Sequence, residues 1–234
     1  MKTFPVLVLA LCGILPTFAA DLTQRTNDAK ADATEKKEKK SEIKDLMKEA
    51  AFTNSTGMVM VKISPSSWAG KFEVTQEEYK KIIGGNPSKF AGDRNPVDSA
   101  SYNDALGFCV KLNEAEKKEE MLPEGYSYTL PTQAQWETLV GGAELKDAVT
   151  SEKSSRSGTA TVGSLGENSL GLCDVRGNLW EFCLDPSDQA YRVLRGAAWN
   201  TSYEPNLRVE FKWFSKGPDD KQEIFGFRCV MVPQ

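Results

Sequence analysis

The stretch Gly171 to Asp185, GLCDVRGNLWEFCLD, carries the residues best suited to chemistry. Asp174 stands three residues before the Gly177-Asn178 pair, and Glu181 stands three after it. Two carboxylates around a glycine turn form an oxygen-rich, hard-ligand arrangement, of the kind that suits Ca²⁺ together with backbone carbonyls. A lone D-x-x-G-N-x-x-E also reads as a surface turn with solvated acids. Cys173 and Cys183 bracket the loop, and Trp180 precedes the glutamate. A second segment, RGAAWNTSYEPNLR from Arg195 to Arg208, is followed by Phe211, Trp213 and Phe214. Trp199, Asn200, Ser202, Tyr203, Asn206 and Trp213 form an aromatic and amide-rich run. Rigid aromatics and small amides suit a binding face, giving contact area and adaptable hydrogen bonds. Partial burial of the aromatics is the other reading. Trp136 and Trp180 read as core pillars rather than pocket walls.

The chain contains no histidine. Ser-His and Cys-His catalysis are excluded, as are histidine-ligated zinc, copper and iron. Its 234 residues, 40% of them hydrophobic, are enough for one domain and a modest extension. A net charge of -4 gives no basic footprint for nucleic acid.

Certain elements must hold these residues in place. Met58 to Ile63 reads as a strand and Phe72 to Thr75 as a second. Gln76 to Ile83 reads as a helix stopped by Gly84-Gly85. Asn86 to Pro96 is a loop. Ser99 is expected to cap a helix reaching about Lys118, with Ala105, Phe108, Cys109 and Leu112 on one face. Thr132 is expected to cap another that turns Trp136 and Leu139 inward. From Thr161 to Val232 the pattern is loops and short strands.

The amino terminus is different material. Met1-Lys2 precede an apolar run, Val6 to Leu15, and Ala19-Ala20 offer a cleavage site. Residues 1–20 therefore read as a secretory signal peptide, too short for a membrane span. The mature chain is expected to be exported, to the periplasm or outside the cell. Residues 21–56 read as a charged, partly helical linker; eight Lys/Arg and eight Asp/Glu fall between Asp21 and Glu49. The domain is expected over 57–234. Four cysteines remain after cleavage, Cys109, Cys173, Cys183 and Cys229, and an even count in an exported chain suggests disulfides without fixing their pairing.

Five segments occur in a telling order: Glu73-Val74-Thr75 with Tyr79; Asn86-Pro87-Ser88-Lys89-Phe90; Tyr128 to Thr132 with Trp136-Glu137; the Gly171 to Asp185 loop; and Arg195-Gly196 with Trp199, closed by Gly226-Phe227-Arg228-Cys229. From about Met58 to Val232 the chain resembles the formylglycine-generating enzyme family, the sulfatase-modifying factor domain. The resemblance implies an α+β architecture, the formylglycine-generating-enzyme variant of the C-type-lectin-like fold, with little regular secondary structure. It implies calcium held by the Asp174 and Glu181 side chains and the Gly177 and Leu179 carbonyls, and a disulfide between Cys109 and Cys229. Its catalytic cysteines fall at Thr201 and Asn206, neither of which is a thiol. Cu(I) needs soft thiolates, so copper and formylglycine chemistry are not expected. The resemblance then implies an exported pseudoenzyme that binds a protein or glycan-like ligand. The rival is an oxidoreductase acting on a sulfatase cysteine through a relocated site, for which Cys173 and Cys183 are the available pair.

Overall fold

The structure is a computed structural model that describes residues 24–25, 30–31, 34, 37–150, 157–184 and 190–234. The signal-peptide segment lies outside the described residues. The chain divides into two units, Met1–Glu42 and Ile43–Gln234. In the first, every described residue is helical. Among the described residues no helix is long and apolar enough to cross a membrane.

Among its described residues the second unit begins on helical residues 43–46 and holds two sheets and three further α-helices. The larger sheet runs in the order β1-β2-β3-β9-β4, formed by Ala51–Thr53, Val59–Ser64, Ser67–Gly70, Val230–Pro233 and Tyr126–Thr129, all antiparallel. The smaller runs β7-β6-β5-β8, formed by Trp213–Phe214, Val193–Arg195, Trp180–Phe182 and Phe225–Gly226. Its β5–β8 pairing is parallel. Because β1 pairs with β2 in register Phe52↔Met60, the folded unit takes in residues upstream of the boundary expected at 57.

The helices follow their caps. In α1 (Gln76–Ile83) Thr75 and Glu78 make a reciprocal capping box, and Gly84 ends the helix in the left-handed region. In α2 (Tyr102–Lys118) the cap is Ser101, boxed with Asp104, and not Ser99. Ser99 sits at φ 58°, donating its hydroxyl to Asp98, so it belongs to the preceding turn. In α3 (Gln133–Leu139) Thr132 is boxed with Gln135, where a neutral amide does the glutamate's work. The strand expected at Phe72 to Thr75 is absent. That stretch is irregular apart from an isolated bridge between Thr75 and Pro96, and the strand lies earlier, at Ser67–Gly70, paired with β2 and β9.

One core lies where α1 and α2 meet both sheets. Tyr79 stacks on Phe108 at 5.6 Å, and Phe227 stands edge-on to both rings. Phe182 bridges Tyr102 and Phe225. Trp68, Trp136 and Trp180 are fully buried. Burying each such ring removes on the order of 150–250 Å² from water, which is how a chain of short elements acquires a rigid interior.

Candidate functional site: a buried charge network beneath an aromatic face

The loop from Cys173 to Phe182 is built around left-handed backbone. Asp174 and Asn178 have φ of 55° and 61°, a conformation that short Asx side chains tolerate. Gly177 has φ 88°, and a Cβ there would lie 2.5 Å from the Val149 carbonyl oxygen. Only glycine fits, because the loop closes against Val149 through an isolated bridge.

Glu73, from the first motif, locks this turn. Its carboxylate accepts the Leu179 N–H at 2.9 Å and the Asn178 amide at 2.7 Å. The Asn178 Oδ1 accepts the Ala160 N–H. Asp174 Oδ2 accepts the Gly163 N–H at 2.6 Å. Glu181 is 1% exposed and meets Arg228, which is fully buried. Arg228 donates from Nη2 at 2.6 Å and from Nε to both carboxylate oxygens, at 3.0 and 3.1 Å. Its remaining donors reach the carbonyls of Gly70, Lys71 and Cys173. Trp136 Nε1 donates to Glu181 Oε2 at 2.9 Å. The Trp136 ring in turn carries the Arg195 guanidinium 5.1 Å from its centroid. Arg195 is buried, bridging Glu137 and the Val209 carbonyl.

Three buried carboxylates, Glu73, Asp174 and Glu181, thus share the field of the Arg228 guanidinium. The imbalance is visible in their acidity. Burial, and then the neighbouring charges of Asp174 and Glu181, push the Glu73 carboxyl well above the usual range. Burial pushes Asp174 up to about 6. In both, burial is the largest cause, and the Arg228 guanidinium offsets it only in part.

Among the described residues no group of three or more His, Cys, Asp or Glu side chains is arranged to hold a metal. The Asp174 and Glu181 side chains and the Gly177 and Leu179 carbonyls are hard oxygen donors, the type calcium takes, and the Arg228 guanidinium sits against Glu181 at 2.6 Å. Glu181 is otherwise occupied. An ionised carboxylate offers about four lone-pair sites, and here all four are met by Arg228 and Trp136.

Cys109 and Cys229 are brought together, with sulfurs 3.7 Å apart in the core. They are free thiols here, as are Cys173 and Cys183, so the expected disulfide is absent from this structure. Burial pushes the Cys173 and Cys229 thiols up. A thiol so shifted is a poor nucleophile and metal ligand at neutral pH.

Above this network runs the aromatic segment. Thr201 is buried, its Oγ1 accepting the Ala198 N–H at 3.0 Å. Asn206 lies in a single 3-10 turn, Glu204–Leu207. The expected face divides in two. Trp199 and Trp213 are half-buried anchors: Trp199 meets Phe90 edge-on at 5.3 Å, and Trp213 packs on Trp180 at 5.7 Å. Asn200, Ser202 and Tyr203 are exposed, Tyr203 at 67%. Phe214, at the end of the expected face, forms an exposed edge-to-face pair at 5.1 Å with Tyr191, which the sequence reading left out.

Comparison with known proteins settles the kinship. Residues 38–232 match the sulfatase-modifying factor enzyme 1-like domain. The chain belongs to that family. It is 25% identical over 215 residues to the chaperone protein LppX of Paenibacillus barcinonensis, covering 65% of this chain and 77% of LppX. It is 37% identical over 71 residues to the inactive C-alpha-formylglycine-generating enzyme 2 of Mus musculus, covering 27% of this chain and 23% of that protein. Among solved structures, Treponema denticola variable protein 1 superposes with a TM-score of 0.60 at 25% identity, covering 71% of this chain and 84% of its own. The α+β fold of the family is thereby established for this chain.

The sequence reading missed Glu73 and Arg228 as parts of the site. Both stand inside family motifs, and a buried acid followed far downstream by a buried base in matching motifs was the available signal.

Proposed function

We propose that this is an exported, non-catalytic binding module of the sulfatase-modifying factor family, which holds calcium in the Asp174–Glu181 loop and a polypeptide ligand on the Trp199–Trp213 face. The observation that carries the reading is the two-layer construction of that face: exposed Asn200, Ser202 and Tyr203 stand between two half-buried tryptophans, Trp199 edge-on to half-buried Phe90 and Trp213 packed on the buried core ring of Trp180. Rigid aromatics with adaptable amides give contact area at low entropic cost. Among protein and glycan-like ligands, similarity to a protein named a chaperone favours polypeptide. Two positions of the face, Thr201 and Asn206, are where the family's catalytic thiols fall, and neither residue can hold Cu(I).

The test is a holdase assay with reduced α-lactalbumin as the unfolded client, run beside sedimentation with polygalacturonate. The reading expects suppressed aggregation that Tyr203→Ala weakens without changing the melting temperature. No suppression would end the polypeptide reading, and sedimentation with polygalacturonate would then assign the face to a glycan. Turnover of a sulfatase-type cysteine peptide to formylglycine, lost in Cys173→Ser or Cys183→Ser, would establish the rival enzyme. Export is tested by sequencing the amino terminus of protein recovered from the envelope fraction; a start near residue 20 or 21 is expected, and an intact Met1 there would refute it.

Calcium would take one lone pair of Glu181 in place of an Arg228 contact, with Asp174 and the Gly177 and Leu179 carbonyls. Supporting this is the excess of buried carboxylate over guanidinium. A ligand that binds only the folded state raises the melting temperature. Melting should fall in EGTA and recover with Ca²⁺, and identical curves would sink the site.

A further inference from the structure

The smaller sheet ends at β7, which has β6 on one side and, among the described residues, no strand on the other. The register pairs Val193 with Phe214 and Leu194 with Trp213, and the Ser215 N–H donates to the Arg192 carbonyl. In an antiparallel ladder that pattern makes Phe214 and Val193 a pair without mutual hydrogen bonds. The Phe214 N–H and C=O therefore point to the open edge. Side chains alternate as a strand requires: Lys212, Phe214 and Lys216 are exposed, Trp213 is half-buried and Ser215 is buried. Two exposed cations thus flank the aromatic: Lys212 just before the two-residue strand, and Lys216 in the bend just after it, where Asp220 accepts its N–H. Neither lysine has an ion pair among the described residues. Tyr191 widens the central apolar platform.

An open edge with an exposed aromatic is a template for another strand. A second copy of this chain does not fit it. Antiparallel self-pairing about Phe214 sets Lys212 opposite the neighbouring copy's lysine, and like charges directly opposite repel. We propose that β7 adds an extended acidic peptide segment, in which one apolar residue pairs with Phe214 and acidic residues two positions to either side meet Lys212 and Lys216. This deepens the polypeptide-binding reading above and rests on it: the half-buried anchor Trp213 is shared, and the new claim concerns how the ligand is oriented and what charge it carries.

The test uses the acetylated, amidated heptapeptide Thr-Glu-Thr-Val-Thr-Glu-Thr, which puts glutamate, valine and glutamate on one face. Titrated into ¹⁵N-labelled mature protein, it should give saturable shifts centred on the Phe214 and Ser215 amides. Exchanging both glutamates for lysine should weaken binding at least about tenfold, as should Lys212→Glu with Lys216→Glu, since two attractive pairs become repulsive. N-methylating the valine, whose amide would donate to the Phe214 carbonyl, should do the same. These lysines are surface groups, and an unchanged melting temperature checks the variant. Equal binding of the lysine peptide, or shifts that avoid β7, would overturn the proposal. If α-lactalbumin is held while the heptapeptide gives no shifts, polypeptide binding stands and strand addition fails. Shifts at β7 from polygalacturonate but not from the peptide would assign the stripe to acidic glycan and overturn the proposal likewise.

Discussion

The loop around Glu181 and the segment from Trp199 to Lys216 are adjacent in the fold and opposite in character. In the first, every polar group has a partner chosen for it, and the charges are buried. In the second, Asn200, Ser202 and Tyr203 face outward, while the aromatic anchors and the buried hydroxyls of Thr201 and Ser215 are held. The contrast separates two kinds of construction in one chain: structural cost concentrates in the charge network, while the outer segment is where the proposed ligand would meet exposed side chains.

The strongest way to break the comparison is to remove a network charge. Glu181→Ala leaves Arg228 buried without its carboxylate, and breaking a buried pair this way typically costs about 3–5 kcal/mol. Urea unfolding should show a loss of that size or no folded protein at all; a loss under about 1 kcal/mol would mean Arg228 finds other acceptors. An effect of similar rank belongs to the Cys109–Cys229 pair, 120 residues apart in sequence. If exported protein carries the bond, the chain-entropy account gives an upper figure of roughly 5 kcal/mol. Non-reducing peptide mapping decides it, and free Cys109 in protein from the envelope would refute the bond.

A smaller effect sharpens the comparison. Asp174 titrates near 6 in the fold, against about 3.9 in an unfolded chain. A raised carboxyl favours the folded state while protonated. That contribution is whole below about pH 4 and is lost as pH rises through the folded value near 6. In EGTA, wild-type protein should therefore lose stability between pH 4.5 and 7.5. Asp174→Asn keeps the acceptor and the left-handed backbone, removes most of that slope, and should gain about 2 kcal/mol at pH 7.5. A slope unchanged by the substitution would place the titration elsewhere, with Glu73 the next group to examine. The smallest structural effect is expected on the other side: Tyr203→Ala should change stability by less than about 0.5 kcal/mol while weakening ligand retention. A large loss of stability would show that Tyr203 belongs to the scaffold after all.

Sequence reading served the two regions unequally. Helix α1, its glycine stop and the α3 cap were legible because capping is local chemistry. Family order was legible because five weak motifs fell in sequence. Ser99 misled because it is a cap-type residue two positions early; only the positive φ, set by contact with Asp98, excludes it. Phe72 to Val74 misled because its apolar and β-prone residues serve to bury Glu73 rather than to extend a ladder. The partners of Glu181 were illegible, since Trp136 and Arg228 reach it from 45 and 47 residues away. Tyr191 was overlooked for the same reason: it joins Phe214 only through the β6–β7 pairing.

The turn Glu204–Leu207 is fastened from below. Arg176 donates to the Leu207 carbonyl and Arg195 to that of Val209, and both contacts end on main chain rather than on side chains. Fastening of that kind is blind to the letters it holds. Substitutions at the exposed Asn200, Ser202, Tyr203 and Glu204 should therefore leave the path of the chain in place, so that sequence can vary there without a cost to the fold. Substitutions at Gly177, where a single methyl group meets Val149, have no such freedom.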